Sequence, residues 1–213
     1  MKIGILGSGM VGKVLSKGFL GLGYEVMTGS RNPSKLEQWH KEMNNPKLSV
    51  GTFAETASFG GVVVLATHGT ATVDVLNQSG KENFTGKTVI DVTNPLDFST
   101  GKPVFAAALG NSLGEQIQNA IPEAKVVKAF NIVNCNIMIN AKMQEGQPDM
   151  FIAGNDKDAK DWVGKLALDW GWNSCIDLGG IEESYWLETF AMLWIKFGAA
   201  NNHWTHAFKL LKK

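Results

Sequence analysis

The 213-residue sequence predicts an α/β fold built on a doubly wound parallel sheet, followed by a small C-terminal α/β region. Three observations predict it. Apolar runs alternate with segments of helical periodicity almost to the chain's end, as in a parallel sheet covered by crossover helices. The run Val62-Val63-Val64-Leu65-Ala66 is apolar without alternation, the mark of a central strand buried on both faces. The first strand, Lys2 to Leu6, passes directly into Gly7-Ser8-Gly9-Met10-Val11-Gly12, and that turn opens a helical pattern from Met10 to Leu22.

The remaining elements follow in order. Tyr24 to Gly29 is the second strand, and Asn32 to Asn44 reads as a helix with Pro33 in its first turn and Asn45-Pro46 ending it. Lys47 to Val50 is a short strand and Thr52 to Phe59 a short helix. After the buried run, Thr72 to Leu76 belongs to a helix, and Thr88 to Val92 is a buried strand ending in Thr93-Asn94-Pro95. A long loop, Leu96 to Gly110, precedes the helix Ser112 to Ala120. Lys125 to Ala129 is the sixth strand. Two domains are expected: residues 1–134 as a dinucleotide-binding unit, and 135–213 as a smaller unit closing the cleft. In the second, Asp149 to Ala153 and Asn173 to Leu178 are strands flanking a helix from Asp156 to Trp170. The last helix or helices then run from Glu182 to Leu211.

The glycine motif is specific because of where it stands. Gly7 makes the tight turn, Gly9 lets the backbone approach a pyrophosphate, and Gly12 lets helix and strand pack closely. Ser8, Met10 and Val11 complete the turn, and the helix N-terminus offers unpaired N–H groups to phosphate. The end of the second strand then selects the dinucleotide. An NAD site places a carboxylate there for the ribose 2′-hydroxyl. Here Gly29 is followed by Ser30-Arg31, Lys35 stands four residues on, and no acid appears before Glu37. A hydroxyl and a guanidinium bind a 2′-phosphate that a carboxylate would repel. The expected cofactor is NADP(H).

Composition bounds the rest. Twenty basic and twenty acidic residues give a formal net charge of zero, without the basic clustering that nucleic acid requires. The two cysteines, Cys135 and Cys175, lie in apolar contexts and read as buried thiols of a reducing cytoplasm. Met1 leads directly into a strand, so no leader is expected, and Glu188 and Lys196 interrupt the apolar stretch Trp186 to Ala200. Neither nucleic acid nor membrane is an expected partner. Six of the seven tryptophans lie at or after Trp162, as core, interface or the wall of a flat substrate's site.

Ligands of open α/β sheets bind outside the carboxyl ends of the strands. Thr67, His68, Asn94, Pro95, Ala129 and Asn131 therefore join the glycine turn and Ser30-Arg31-Lys35 as candidate cofactor contacts. His68 can be read as an acid–base group or as a ribose contact. His203 and His206 are spaced for one helix face, with no further ligand nearby to make a metal site. No catalytic set emerges. Direct hydride transfer between two rings needs none, only stacking and orientation.

The chain resembles the family of NADP-dependent oxidoreductases that use the deazaflavin coenzyme F420. The carriers are the glycine turn, Thr28-Gly29-Ser30-Arg31-Asn32-Pro33, Asp91-Val92-Thr93-Asn94-Pro95-Leu96 and Ser112-Leu113-Gly114-Glu115-Gln116. Val126-Val127-Lys128-Ala129-Phe130-Asn131, Asp177-Leu178-Gly179-Gly180-Ile181-Glu182, Leu187-Glu188 and Ala191-Met192-Leu193-Trp194-Ile195 complete them. The resemblance implies a Rossmann-type NADP domain, with Ser30, Arg31 and Lys35 on the 2′-phosphate and Ser8 to Val11 along the pyrophosphate. It implies a homodimer, and hydride transfer to a small-molecule redox acceptor in a cleft formed with the C-terminal region. Thr67-His68-Gly69 departs from the family, whose members tend to carry proline after that strand. Deazaflavin or flavin is the implied co-substrate. The alternatives are reduction of another acceptor, such as a quinone, ferric iron or a small carbonyl compound, and a non-catalytic NADPH sensor.

Overall fold

The computed structural model describes residues 1–212. Eight strands form one sheet: β1 (Lys2–Leu6), β2 (Glu25–Gly29), β3 (Leu48–Gly51), β4 (Val62–Leu65), β5 (Thr88–Asp91), β8 (Lys125–Lys128), β9 (Asp149–Gly154) and β10 (Ser174–Asp177). Their spatial order is β10-β9-β8-β5-β4-β1-β2-β3. From β3 to β8 the strands are parallel, and the order reverses at the β1–β4 pair, the topological switch point.

The residue pattern explains the layers. In β4, Val62 and Val64 belong to one core cluster and Val63 and Leu65 to the other, so both sets of side chains leave water. On the first face lie α1 (Met10–Gly21) and α7 (Lys157–Asp169), with Leu15, Phe19, Val163 and Leu166 buried. On the second lie α3 (Phe53–Phe59), α4 (Thr72–Ser79) and α5 (Leu113–Ala120). Each buried aliphatic or aromatic side chain contributes about 1.5–3 kcal/mol. Helix starts follow local chemistry: Thr52 and Ser112 each form a capping box with the glutamate three residues on, Glu55 and Glu115.

The doubly wound, mostly parallel sheet is as the sequence predicts, with one exception: β9 runs antiparallel to β8. The connection between them holds only the four-residue helix α6 (Cys135–Met138), too short to carry the chain back across the sheet. The thirteen-residue α7 does make that return, so β10 is parallel to β9. Both strands thus extend the first sheet. The segment 32–44 divides into a 3-10 turn, Pro33–Leu36, and α2 (Glu37–Met43), ended by Asn44 in the left-handed region. The loop after β5 contains a small hairpin, β6 (Leu96–Asp97) with β7 (Val104–Phe105).

The last correction is the largest. Helix α8 (Ser184–Asn201) stops at Asn202, whose φ of 48° is left-handed. Asparagine tolerates that conformation as a C-terminal cap. The His203 N–H bonds the Gly198 carbonyl, and the Trp204 ring lies where a Gly198 side chain would stand. The chain therefore folds back along α8 as a strap, and His203 and His206 are not on a helix. The strap is held by the Asp149 N–H, which donates to the Phe208 carbonyl at 3.0 Å, and by the Asp149 carboxylate, which accepts from the Leu210 N–H at 2.9 Å.

Candidate functional site: a dinucleotide crevice at the switch point

The glycine turn leaves β1 at the switch point and is built by close approach. Gly7 has a φ of +136°, and a Cβ there would lie 2.2 Å from the Ala66 carbonyl oxygen at the end of β4. A Cβ on Gly12 would meet the Gly7 carbonyl at 1.9 Å, so only glycine lets α1 sit on the turn. Gly9 is the opposite case: nothing lies within 4 Å of its missing Cβ. The α1 N-terminus beside it has no side-chain cap and no acidic residue in its first turn. Unpaired N–H groups face an open cradle there, the arrangement that fits a pyrophosphate. Met10 is 74% exposed at its rim, and Val11 is half-buried.

The end of β2 lies alongside. Ser30 is buried, its N–H donating to Gly51 O at 3.0 Å, and the Ser8 hydroxyl donates to its Oγ at 3.3 Å. The Asn32 carboxamide oxygen accepts from the Ser34 N–H and hydroxyl, shaping the turn that presents Arg31 and Lys35, both exposed. Arg31 is the only arginine in the sequence, and among the described residues it makes no ion pair. A free guanidinium beside a buried serine, with no carboxylate on the turn, suits a phosphate rather than a bare ribose.

On the other side of the switch point stand the loops after β4, β5 and β8. Thr67 Oγ1 and Thr72 Oγ1 share a hydrogen bond at 2.8 Å, and Thr72 Oγ1 also bonds the His68 carbonyl, while His68 itself is exposed. Gly69 is required, since its Cβ would come within 2.0 Å of Asn94 O. After β8 the backbone turns sharply: Phe130 is buried with a φ of 61°, and its ring packs against Trp170 and Trp172. A phenylalanine holds the left-handed region only where its surroundings enforce it. The turn carries Asn131 back toward β5. Asn94 Nδ2 donates to Asn131 O at 2.8 Å, and Asn131 Nδ2 donates to Asn94 Oδ1 and to Leu187 O, each at 2.9 Å. This amide clasp joins the crevice floor to α8. Pro95 and Ala129 are buried beside it, Ala129 through an N–H bond to Asp91 O.

Beneath the clasp lies a cluster that sequence reasoning missed. Lys128 Nζ is 2.6 Å from Asp91 Oδ2, 2.8 Å from Glu188 Oε1 and 2.9 Å from Thr93 O, all within a fully buried site. The Asp91 Oδ2 contact is an ion pair rather than an aligned hydrogen bond. Asp91 Oδ1 accepts from the Thr93 N–H and hydroxyl, and Glu188 accepts from the Leu113 and Gly114 N–H groups at the start of α5. Burial alone lowers the Lys128 pKa, but the Asp91 and Glu188 carboxylates outweigh it and hold the ammonium above its ordinary value. The sequence held a signal: Lys128 closes an apolar strand, and Glu188 interrupts an apolar helix.

Elsewhere the chemistry is quiet. Burial raises the Cys135 thiol, and it pushes the partly buried Cys175 up to about 12. Among the described residues no group of His, Cys, Asp or Glu is placed to hold a metal, and no helix is long and apolar enough to cross a membrane. The tryptophans divide: Trp170 and Trp172 are core, whereas Trp186 is 55% exposed on α8.

A switch-point cradle of this kind, on this sheet, defines the class of dinucleotide-binding proteins. Comparison with known proteins narrows it. Residues 2–95 match the family described as NADP oxidoreductase, coenzyme F420-dependent. The F420-dependent NADP reductase of Methanocaldococcus jannaschii is 31% identical over 181 residues, covering 80% of each chain. A structure from Arthrobacter sp. FB24, solved as a candidate F420-dependent NADP reductase, is 37% identical, superposes with a TM-score of 0.94 and is covered completely, as is this chain. The metalloreductase STEAP3 of Rattus norvegicus is 28% identical over 195 residues, 90% of this chain but only 36% of that protein. The chain belongs to the F420-dependent NADP oxidoreductase family, and it is an NADP-dependent oxidoreductase.

Proposed function

We propose that the chain transfers a hydride between NADPH and a deazaflavin-like acceptor. The observation that carries this reading is the amide clasp. Asn94 and Asn131 are bonded to each other and to α8, so the crevice floor is a fixed polar platform against the C-terminal region. A platform orients two flat rings, and orientation is what direct hydride transfer needs. NADPH supplies the hydride when bound. Residues 1–134 hold the dinucleotide: Gly7, Ser8, Gly9, Met10, Val11 and Gly12 along the pyrophosphate, and Ser30, Arg31 and Lys35 on the 2′-phosphate. Thr67, His68, Asn94, Pro95, Ala129 and Asn131 surround the ribose and nicotinamide. Residues 135–213 close the crevice through α8 and pair the chain with a second copy. The two free thiols suit the cytoplasm in which we place it.

The test is anaerobic mixing of protein, NADPH and oxidised deazaflavin, following the deazaflavin absorbance. Catalytic bleaching is expected. NADPH binding without bleaching rejects the deazaflavin as acceptor. The second reading then gains: reduction of flavin, quinone, ferric iron or a small carbonyl, favoured by the likeness to a metalloreductase over 90% of this chain.

A further inference from the structure

The Asp91–Lys128–Glu188 cluster joins β5, β8 and α8 through buried charge. Two carboxylates and one ammonium, all fully buried, leave one surplus negative charge. Buried ion clusters are poor stabilisers, because desolvation cancels much of the attraction and apolar replacement is often neutral or better. The surplus carboxylate adds to that cost.

Its position suggests a use. Asp91 and Lys128 are the last residues of β5 and β8, at the carboxyl edge where such sheets bind ligands. Both grip Thr93, the neighbour of Asn94. Glu188 follows Leu187, whose carbonyl holds Asn131. The charge is therefore held one residue along the chain from each side of the clasp. The Leu113 and Gly114 N–H groups offset part of it, with the partial positive charge of a helix N-terminus. In a dry interior the remainder is weakly screened.

We propose that Asp91 and Glu188 bias the site toward the oxidised dinucleotide. The oxidised nicotinamide ring carries a positive charge and the dihydro ring is neutral, so a negative field beneath the ring favours NADP+ over NADPH. Holding the oxidised form more tightly makes bound NADPH the stronger hydride donor. The inference rests on the nicotinamide placement proposed above.

Glu188→Gln and Asp91→Asn each remove one charge at constant shape and leave Lys128 one carboxylate partner. Wild type and both variants are titrated with NADP+ and, separately, NADPH by calorimetry, with melting curves as the check on folding. The ratio of the NADP+ Kd to the NADPH Kd should rise about threefold to tenfold in each variant. Equal changes for the two forms, or none, overturn the proposal and leave the cluster a structural tie. If one variant does not fold, the other decides. A wild type that binds neither form overturns the placement on which the inference rests, a result distinct from an unchanged ratio.

Discussion

Arg31 decides the cofactor more than any other single side chain. It is exposed on a turn shaped by Asn32 and Ser34, beside the buried Ser30, and among the described residues no carboxylate pairs with it. Guanidinium–phosphate hydrogen bonds are charge-assisted and among the stronger ones in proteins. Arg31→Ala should therefore weaken NADPH binding about tenfold to hundredfold and leave NADH binding nearly unchanged, since only NADPH carries the 2′-phosphate. Parallel fluorescence titrations with the two nucleotides check it, and equal losses would refute the assignment. Residues of this kind are legible in a sequence because their meaning is local. Gly7, Gly9 and Gly12 follow a strand at fixed spacing, and Ser30-Arg31 ends the next one. Lys128 and Glu188 are not legible in that way. They stand sixty residues apart with nothing between them to announce a contact, and only the fold brings them to 2.8 Å.

Among the elements, α8 and its strap depart furthest from sequence expectation. The stretch to Leu211 is rich in aromatic and aliphatic residues, and periodicity alone does not separate a helix that continues from a segment that folds back along it. The reversal depends on Asn202 adopting a left-handed φ and on Gly198 leaving room for the Trp204 ring. One carboxylate helps to tie the strap down, beside the Asp149 N–H bond to Phe208 O and the Trp194 indole bond to His206 O. Asp149 accepts from Asn173 Nδ2 at 2.6 Å, Ser174 Oγ at 2.8 Å and the Leu210 N–H at 2.9 Å. Burial pushes the Asp149 carboxyl up, but these hydrogen bonds, with the Lys209 charge, hold it below the ordinary carboxylate range. A folded pKa below the unfolded one gives stability that is present above the unfolded value, near 4, and lost as pH falls through the folded value. The carboxylate's contribution to docking should thus be fully present above about pH 4 and fade below it, loosening the strap, read as a change in Trp194 and Trp204 fluorescence. Asp149→Asn should loosen it at neutral pH and expose residues 203–212 to limited proteolysis. A variant with the wild-type digestion pattern and acid profile would show that the carboxylate does not hold the strap.

At the scale of the whole molecule, α8 presents an exposed apolar face. Trp186, Leu193 and Phe197 recur at helical spacing along α8 and are 55%, 56% and 47% exposed. Trp186 and Leu193 also line, with Phe151, Leu178, Leu187 and Phe190, a groove of about 440 Å³ on that face. An exposed apolar face of this kind is what an isologous interface uses, because a two-fold axis lays the same patch of each subunit against the other's. Three large side chains about half exposed offer on the order of 300 Å² of apolar surface per protomer. That is somewhat more than a third of the ~800 Å² each partner contributes to a standard interface, the rest falling to the groove walls and a polar rim. We therefore expect a homodimer through α8. Leu193→Glu places a charge on that face, at a residue with no assigned part in holding the dinucleotide, so it should convert the dimer to a monomer while leaving the NADPH Kd unchanged. Light scattering behind size exclusion, at several concentrations, measures the first and titration the second. A wild type that is monomeric throughout, or a Leu193→Glu dimer as tight as the wild type, would remove α8 from the assembly.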